Sequence, residues 1–177
     1  VQQEVCVGPG PYKAIFGFIA AGVIGGCSLF FPTTVPIPTV RHPSSASPAR
    51  SLLVMLPGRG DAPEDFQEAG FVRMAAESDR SVDVVAVDAH FGYYVSRTLI
   101  TRLWEDVIAP AREAGYEQIW LLGISMGGLG ALLFAQAHPE SISGVLVLAP
   151  FLGDEDVIEE IAEAGGLAAW KPPGTIA

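Results

Sequence analysis

Ser125 is the residue in this chain whose surroundings are best suited to nucleophilic chemistry. It lies at the centre of Gly123-Ile124-Ser125-Met126-Gly127, a G-x-S-x-G pattern. An apolar run of strand length, residues 119–123, leads into the pattern, and the helix-forming stretch Met126–Ala137 leads out of it. A sharp strand-to-helix turn would hold Ser125 in a strained backbone conformation with its hydroxyl projecting outward. Gly123 and Gly127 then stand where neighbouring segments come too close for a side chain. The helix after the turn aims its positive N-terminal end at the position where an oxyanion would develop. The structural alternative is an ordinary strand–turn–helix corner.

A serine hydroxyl also needs a base for its proton and donors for the oxyanion. Candidate donors lie in Leu56-Pro57-Gly58-Arg59-Gly60-Asp61, directly after another apolar strand. Gly58 and Gly60 let that loop turn its backbone N–H groups toward the site. The Arg59 side chain could meet an anionic group, but a solvent-facing or salt-bridged arginine is the plainer expectation.

The elements that must position these residues alternate between strand and helix. Apolar strands are expected at Ser51–Leu56, Val82–Val87, 119–123 and Gly144–Leu148. Helices are expected at 63–78, 97–114, Met126–Ala137 and 154–164, with Pro110 kinking or dividing the second of these. Near-continuous apolar strands alternating with helices predict an α/β fold with a mostly parallel sheet covered on both faces. In such sheets the chemistry gathers at the carboxyl ends of the strands. Ser125, the loop after Leu56, and His90 all fall there.

These motifs, in this order, make the chain resemble the α/β-hydrolase superfamily, specifically its bacterial serine esterases. The resemblance covers roughly Ser51 to Pro150. It implies Ser125 as nucleophile and the backbone N–H of Met126 as one oxyanion donor. Pro57-Gly58-Arg59-Gly60 occupies the place of the H-G-x-G loop, with Pro57 in place of histidine, which implies the Arg59 N–H as second donor. Gly58, Gly60 and His90 are possible pocket residues.

The family order of nucleophile, acid and then histidine finds no base here. His138 ends the helix that Ser125 opens, and thirteen residues at about 1.5 Å each put the two roughly 20 Å apart. His42 lies in a proline-rich stretch. His90, in Ala89-His90-Phe91-Gly92-Tyr93-Tyr94, better suits a pocket or structural role than that of an unorthodox base. The acid and histidine, and the last strands of the sheet, are therefore expected beyond the chain end. The missing initial methionine and the tail 168–177 agree with a fragment of a longer hydrolase.

The N-terminal segment carries an address rather than chemistry. Lys13 precedes an uncharged apolar run ending in Ile24-Gly25-Gly26-Cys27, the pattern of an export signal with a lipoprotein-type cleavage site. Residues 1–27 are read as signal and lipobox, with Cys27 as the lipidation site. An exported, membrane-anchored lipoprotein of the cell envelope follows. An uncleaved anchor over 14–31 and a Cys6–Cys27 disulfide are the alternatives. Residues 28–50, rich in proline and serine, read as a tether or leading strand, and 51–177 as a partial hydrolase domain.

The net charge of −10, without a basic cluster, argues against nucleic acid as a partner. The acids Asp154, Glu155, Asp156, Glu159, Glu160 and Glu163 read as a solvated helix face, not a metal site. No cofactor is expected. The expected partner is a small ester or acyl substrate, with Phe91, Tyr93, Tyr94, Phe151 and Leu152 near the presumed mouth. An acyltransferase or thioesterase remains open, as does a non-catalytic tethered homologue.

Overall fold

The computed structural model describes residues 32–45, 49–78, 81–166 and 168–171. The expected signal, Cys27 lipidation site, membrane anchor and Cys6–Cys27 disulfide all lie outside the described residues.

Among the described residues five strands form one sheet in the order β1-β3-β2-β4-β5: β1 (Thr39–His42), β2 (Ser51–Leu56), β3 (Val82–Val87), β4 (Gln118–Ile124) and β5 (Gly144–Leu148). Strands β2 to β5 run parallel, and β1 pairs antiparallel with β3. The fold is therefore the mostly parallel α/β sheet that the sequence predicts.

Although the strands are almost wholly apolar, the two-residue period still divides them between two cores. Leu52, Val54, Leu56, Val85, Val87, Ile119 and Leu121 face one side. There they meet residues of α3 (Phe91–Val95), α4 (Leu99–Leu103), α5 (Ala109–Glu113) and α6 (Met126–Ala137). Met55, Val84, Ala86 and Leu122 face the other side, where they meet Phe66 of α1 (Asp65–Glu68) and Phe71, Val72 and Ala75 of α2 (Phe71–Ala76).

Part of the stretch read as tether or leading strand belongs to the sheet. Thr39 to His42 pair with Val87 to Val84, and the residues before them are pinned too. The Ile37 N–H donates to Asp106 Oδ2 at 2.8 Å, and the Tyr93 hydroxyl donates to the Thr34 carbonyl at 3.0 Å. The sheet thus begins before Ser51, the boundary drawn from composition. Composition registers the prolines but not the bonds that the residues among them make to distant segments.

One expected helix is split where no break was expected, and a second is divided beside Pro110, as expected. The stretch 63–78 divides into α1 and α2 because Gly70, with φ +85°, turns the chain between them. The stretch 97–114 runs as α4, a π-helical turn at Trp104–Ile108 and then α5. The Ala109 N–H reaches back five residues to the Trp104 carbonyl. The wider turn shifts the hydrogen-bond ladder just before Pro110, which has no N–H to offer.

β5 was expected to be a buried strand, yet Leu146, Val147 and Leu148 are exposed. It lies at the end of the strand order, with β4 as its sheet neighbour, and a period of apolar residues cannot show that a covering layer is in place. The last helix, α7 (Glu155–Glu163), buries none of its residues.

Candidate active site

The parallel register brings four chain segments to one edge of the sheet. Leu56, at the carboxyl end of β2, lies opposite Gly123, and Ile124 lies opposite Leu148. The loops after β2, β3 and β5 therefore surround the turn between β4 and α6. Ser125 occupies that turn.

Its backbone has φ 50° and ψ −113°, a combination that residues with a Cβ rarely adopt. Hydrogen bonds hold it there. The Ser125 N–H donates to the Leu148 carbonyl at 3.0 Å. The Ser125 carbonyl accepts from the N–H groups of Gly128, Leu129 and Phe151 at 3.0, 3.3 and 2.9 Å. Glycine is required where the segments cross. A Cβ on Gly127 would fall 2.1 Å from the Leu56 carbonyl oxygen, and one on Gly123 would fall 2.2 Å from that of Gly127.

The Ser125 side chain is half-buried, and among the described residues its hydroxyl has no hydrogen-bond partner. The N–H groups of Met126 and Arg59 are likewise without an acceptor among the described residues. A Cβ built on Gly58 would sit 3.7 Å from Ser125 Cβ, so the loop after β2 lies against the serine. A cleft of about 360 Å³ opens above them, lined by Arg59, Phe91, Ser125, Met126, Phe151 and Asp154. This arrangement places a half-buried hydroxyl, unpartnered among the described residues, in a cleft that Arg59 and Met126 also line.

The Arg59 guanidinium rests 4.7 Å from the centroid of the Phe91 ring, and the residue forms no ion pair among the described residues. The expected alternatives, solvent or a salt bridge, omitted this stacking. Asp154 was grouped with the solvated acids of α7; it is exposed as expected, and it also lines the cleft. The chain enters the helix there, and Asp154 makes no side-chain capping bond to it. Its place just before the helix, in the loop after β5, was the available signal.

His90 is placed differently from the pocket role considered for it. It is the N-cap of α3, with Nδ1 accepting from the Gly92 N–H at 3.1 Å, and its ring packs 4.6 Å from that of Tyr93. It does not line the cleft. Its capping geometry was hidden in the sequence because histidine is not a usual cap. His138 ends α6 and stacks on Trp104 at 4.7 Å, and His42 lies opposite Val84, toward the far end of β3. The buried His42 Nε2 has no hydrogen-bond partner among the described residues, and none of the three histidines is bonded to Ser125.

Tyr93 and Tyr94 were expected near the mouth. Tyr93 is instead fully buried, and Tyr94 supports the turn from behind, its hydroxyl donating to the Met126 carbonyl at 2.9 Å. Burial raises the Tyr94 phenol well above its ordinary pKa. A raised folded value means that its contribution is complete below about pH 10 and is lost as the pH climbs through the higher folded value. Tyr94→Phe should therefore cost about 1 kcal/mol at neutral pH. It should also flatten the loss of stability under alkaline conditions, both measured by denaturant unfolding between neutral and strongly alkaline pH.

A mostly parallel sheet with a strained serine between a strand and a helix, facing a glycine loop, defines an α/β-hydrolase fold. The family model for serine aminopeptidase S33 matches residues 48–173, and the chain belongs to that family. No curated protein matches the sequence significantly.

Solved structures share the fold. Est1E from Butyrivibrio proteoclasticus is 20% identical with a TM-score of 0.53, the match covering 76% of this chain and 53% of that one. A monoacylglycerol lipase from Paleococcus ferrophilus is 18% identical with a TM-score of 0.51, covering 74% and 51%. MenH from S. aureus is 17% identical with a TM-score of 0.50, covering 71% and 48%. At these identities the likeness establishes the fold alone. The matches span about half the length of each of these proteins.

Proposed function

We propose that the complete protein is a serine hydrolase of carboxylic esters, with Ser125 as nucleophile. The observation that carries this reading is the strained Ser125, its hydroxyl unpartnered among the described residues at the floor of a cleft. Ser125 Oγ attacks the ester carbonyl carbon as a base takes its proton. The N–H groups of Met126 and Arg59 hold the resulting oxyanion. The tetrahedral adduct collapses, and the alkoxide leaves with the proton returned by the base. Water then attacks the acyl-enzyme in the same manner and regenerates the serine.

The cleft volume and the rings of Phe91 and Phe151 favour a small ester with a moderately apolar acyl or alcohol group. A thioesterase or an acyltransferase would use the same serine and differ only in leaving group or acceptor. We assign the base and its acid to the part of the hydrolase fold that this chain does not span. The placement of His42, His90 and His138 supports that assignment.

The test is labelling of the full-length protein by a fluorophosphonate. Wild type should be modified at Ser125 and Ser125→Ala should not, while residues 1–177 alone should show little ester turnover. Labelling that persists in the variant would remove Ser125 from the mechanism. Absence of labelling in the wild type would favour a non-catalytic, tethered homologue.

We further propose export and lipid anchoring at Cys27, supported by the apolar run and the Ile24-Gly25-Gly26-Cys27 sequence. In cells fed labelled palmitate, the wild type should incorporate lipid and partition into detergent. Cys27→Ser should do neither. Equal incorporation by both would refute the assignment.

A further inference from the structure

The Ser125–Met126 peptide is the part of the site on which the oxyanion hole depends, and it is held from outside its own helix as well as from within it. A carbonyl at the start of an α-helix ordinarily accepts the first bonds of that helix. Here the Ser125 carbonyl takes those bonds, from Gly128 and Leu129, and a shorter one from Phe151 at 2.9 Å. Phe151 lies in the loop after β5. The same loop returns a bond in the other direction, since the Leu148 carbonyl accepts the Ser125 N–H at 3.0 Å. Between Leu148 and Phe151 the chain makes a tight turn, with Ala149 at φ 43°. Pro150 presses against α6 at Gly128, where a Cβ would fall 2.9 Å from Pro150 Cβ.

We infer that the Leu148–Phe151 turn is a positioning device for the oxyanion hole, acting through the Phe151 N–H on the Ser125 carbonyl. The inference rests on the reading of Ser125 as nucleophile and Met126 as donor. Two physical effects follow from one bond. It adds to the helical bonds from Gly128 and Leu129 in fixing the plane of the Ser125–Met126 peptide, at a Ser125 ψ of −113°. It also draws electron density toward the carbonyl oxygen, which strengthens the N–H of the same peptide as a donor, because hydrogen bonds along a peptide polarise one another. That N–H belongs to Met126 and has no acceptor among the described residues. The Phe151 side chain lines the cleft, so the residue that touches the cleft's occupant also sets the donor.

The bond can be removed while the side chain is kept. Replacing Phe151 by phenyllactic acid converts its amide to an ester and deletes the N–H alone, whereas Phe151→Ala keeps the N–H and deletes the ring. In the full-length protein, the ester variant should lose about tenfold in kcat and in fluorophosphonate labelling rate, with KM within twofold of wild type. Phe151→Ala should do the reverse, raising KM while kcat stays within about threefold. Loss of kcat in the alanine variant alone, or an ester variant with the wild-type rate, would overturn the inference.

A second readout does not depend on turnover. The carbonyl carbon resonance of Ser125 should move upfield in the ester variant and remain in place in Phe151→Ala. If the wild type proves inert to the fluorophosphonate, the hydrolase reading fails. The resonance then decides whether the turn polarises the peptide, and an unmoved signal refutes the device.

Discussion

Gly127→Ala should abolish fluorophosphonate labelling of Ser125 and destabilise the domain by about 3 kcal/mol, near the upper end of overpacking costs. The added Cβ would meet the Leu56 carbonyl oxygen at 2.1 Å, its carbon at 2.6 Å and the Pro57 carbonyl oxygen at 2.6 Å. All three are backbone atoms, so no rotamer change relieves the contact. Either α6 must back away from β2, or the end of β2 must move. The second response shifts the Gly58–Gly60 loop that lies against Ser125. In a chain of this size, 3 kcal/mol corresponds to a fall in Tm of roughly 10 °C. Thermal unfolding and labelling should therefore fail together. A Gly127→Ala protein with wild-type Tm and labelling would show that the close crossing of α6 over β2 is wrong.

Ser125→Gly should separate stability from activity. Ser125 adopts φ 50° and ψ −113° against its own Cβ, and strain of this kind costs about 1 to 3 kcal/mol. Glycine adopts the conformation freely but loses more entropy on folding, by about 0.5 to 1 kcal/mol. The net expectation is a variant about 1 kcal/mol more stable than wild type, with no labelling at all. Denaturant unfolding against Ser125→Ala, which keeps the strained Cβ, isolates the backbone contribution. A glycine variant no more stable than the alanine variant would mean that the turn carries no strain.

Much of the site was legible because its constraints are local. The glycines at 123 and 127, the run before them and the helix former after them are consecutive in the chain. A strand-to-helix turn is encoded within about a dozen residues. The loop containing Gly58 and Gly60 was legible for a similar reason, since parallel strands deliver their carboxyl ends to one edge. Residues whose roles depend on distant partners were harder to read. Tyr93 and Tyr94 are adjacent aromatics that the sequence cannot tell apart. Packing sends one into the core toward Thr34 and the other beneath Met126. Asp154 differed from the other acids of its stretch only in preceding the helix, and the loop after β5 is what carries it to the cleft.

By itself the sequence determined the α/β alternation, the position of the turn at Ser125 and the glycine loop after β2 that lies against it. Each follows from the steric and hydrophobic demands of neighbouring residues. Only the tertiary structure decided that β1 joins the sheet, that His90 caps a helix, and that Phe151 bonds the Ser125 carbonyl. Those facts depend on contacts between segments far apart in the chain. Hydrogen bonds and packing contacts of that kind leave no period or spacing in the sequence, because each is satisfied only when the register of the whole sheet is in place.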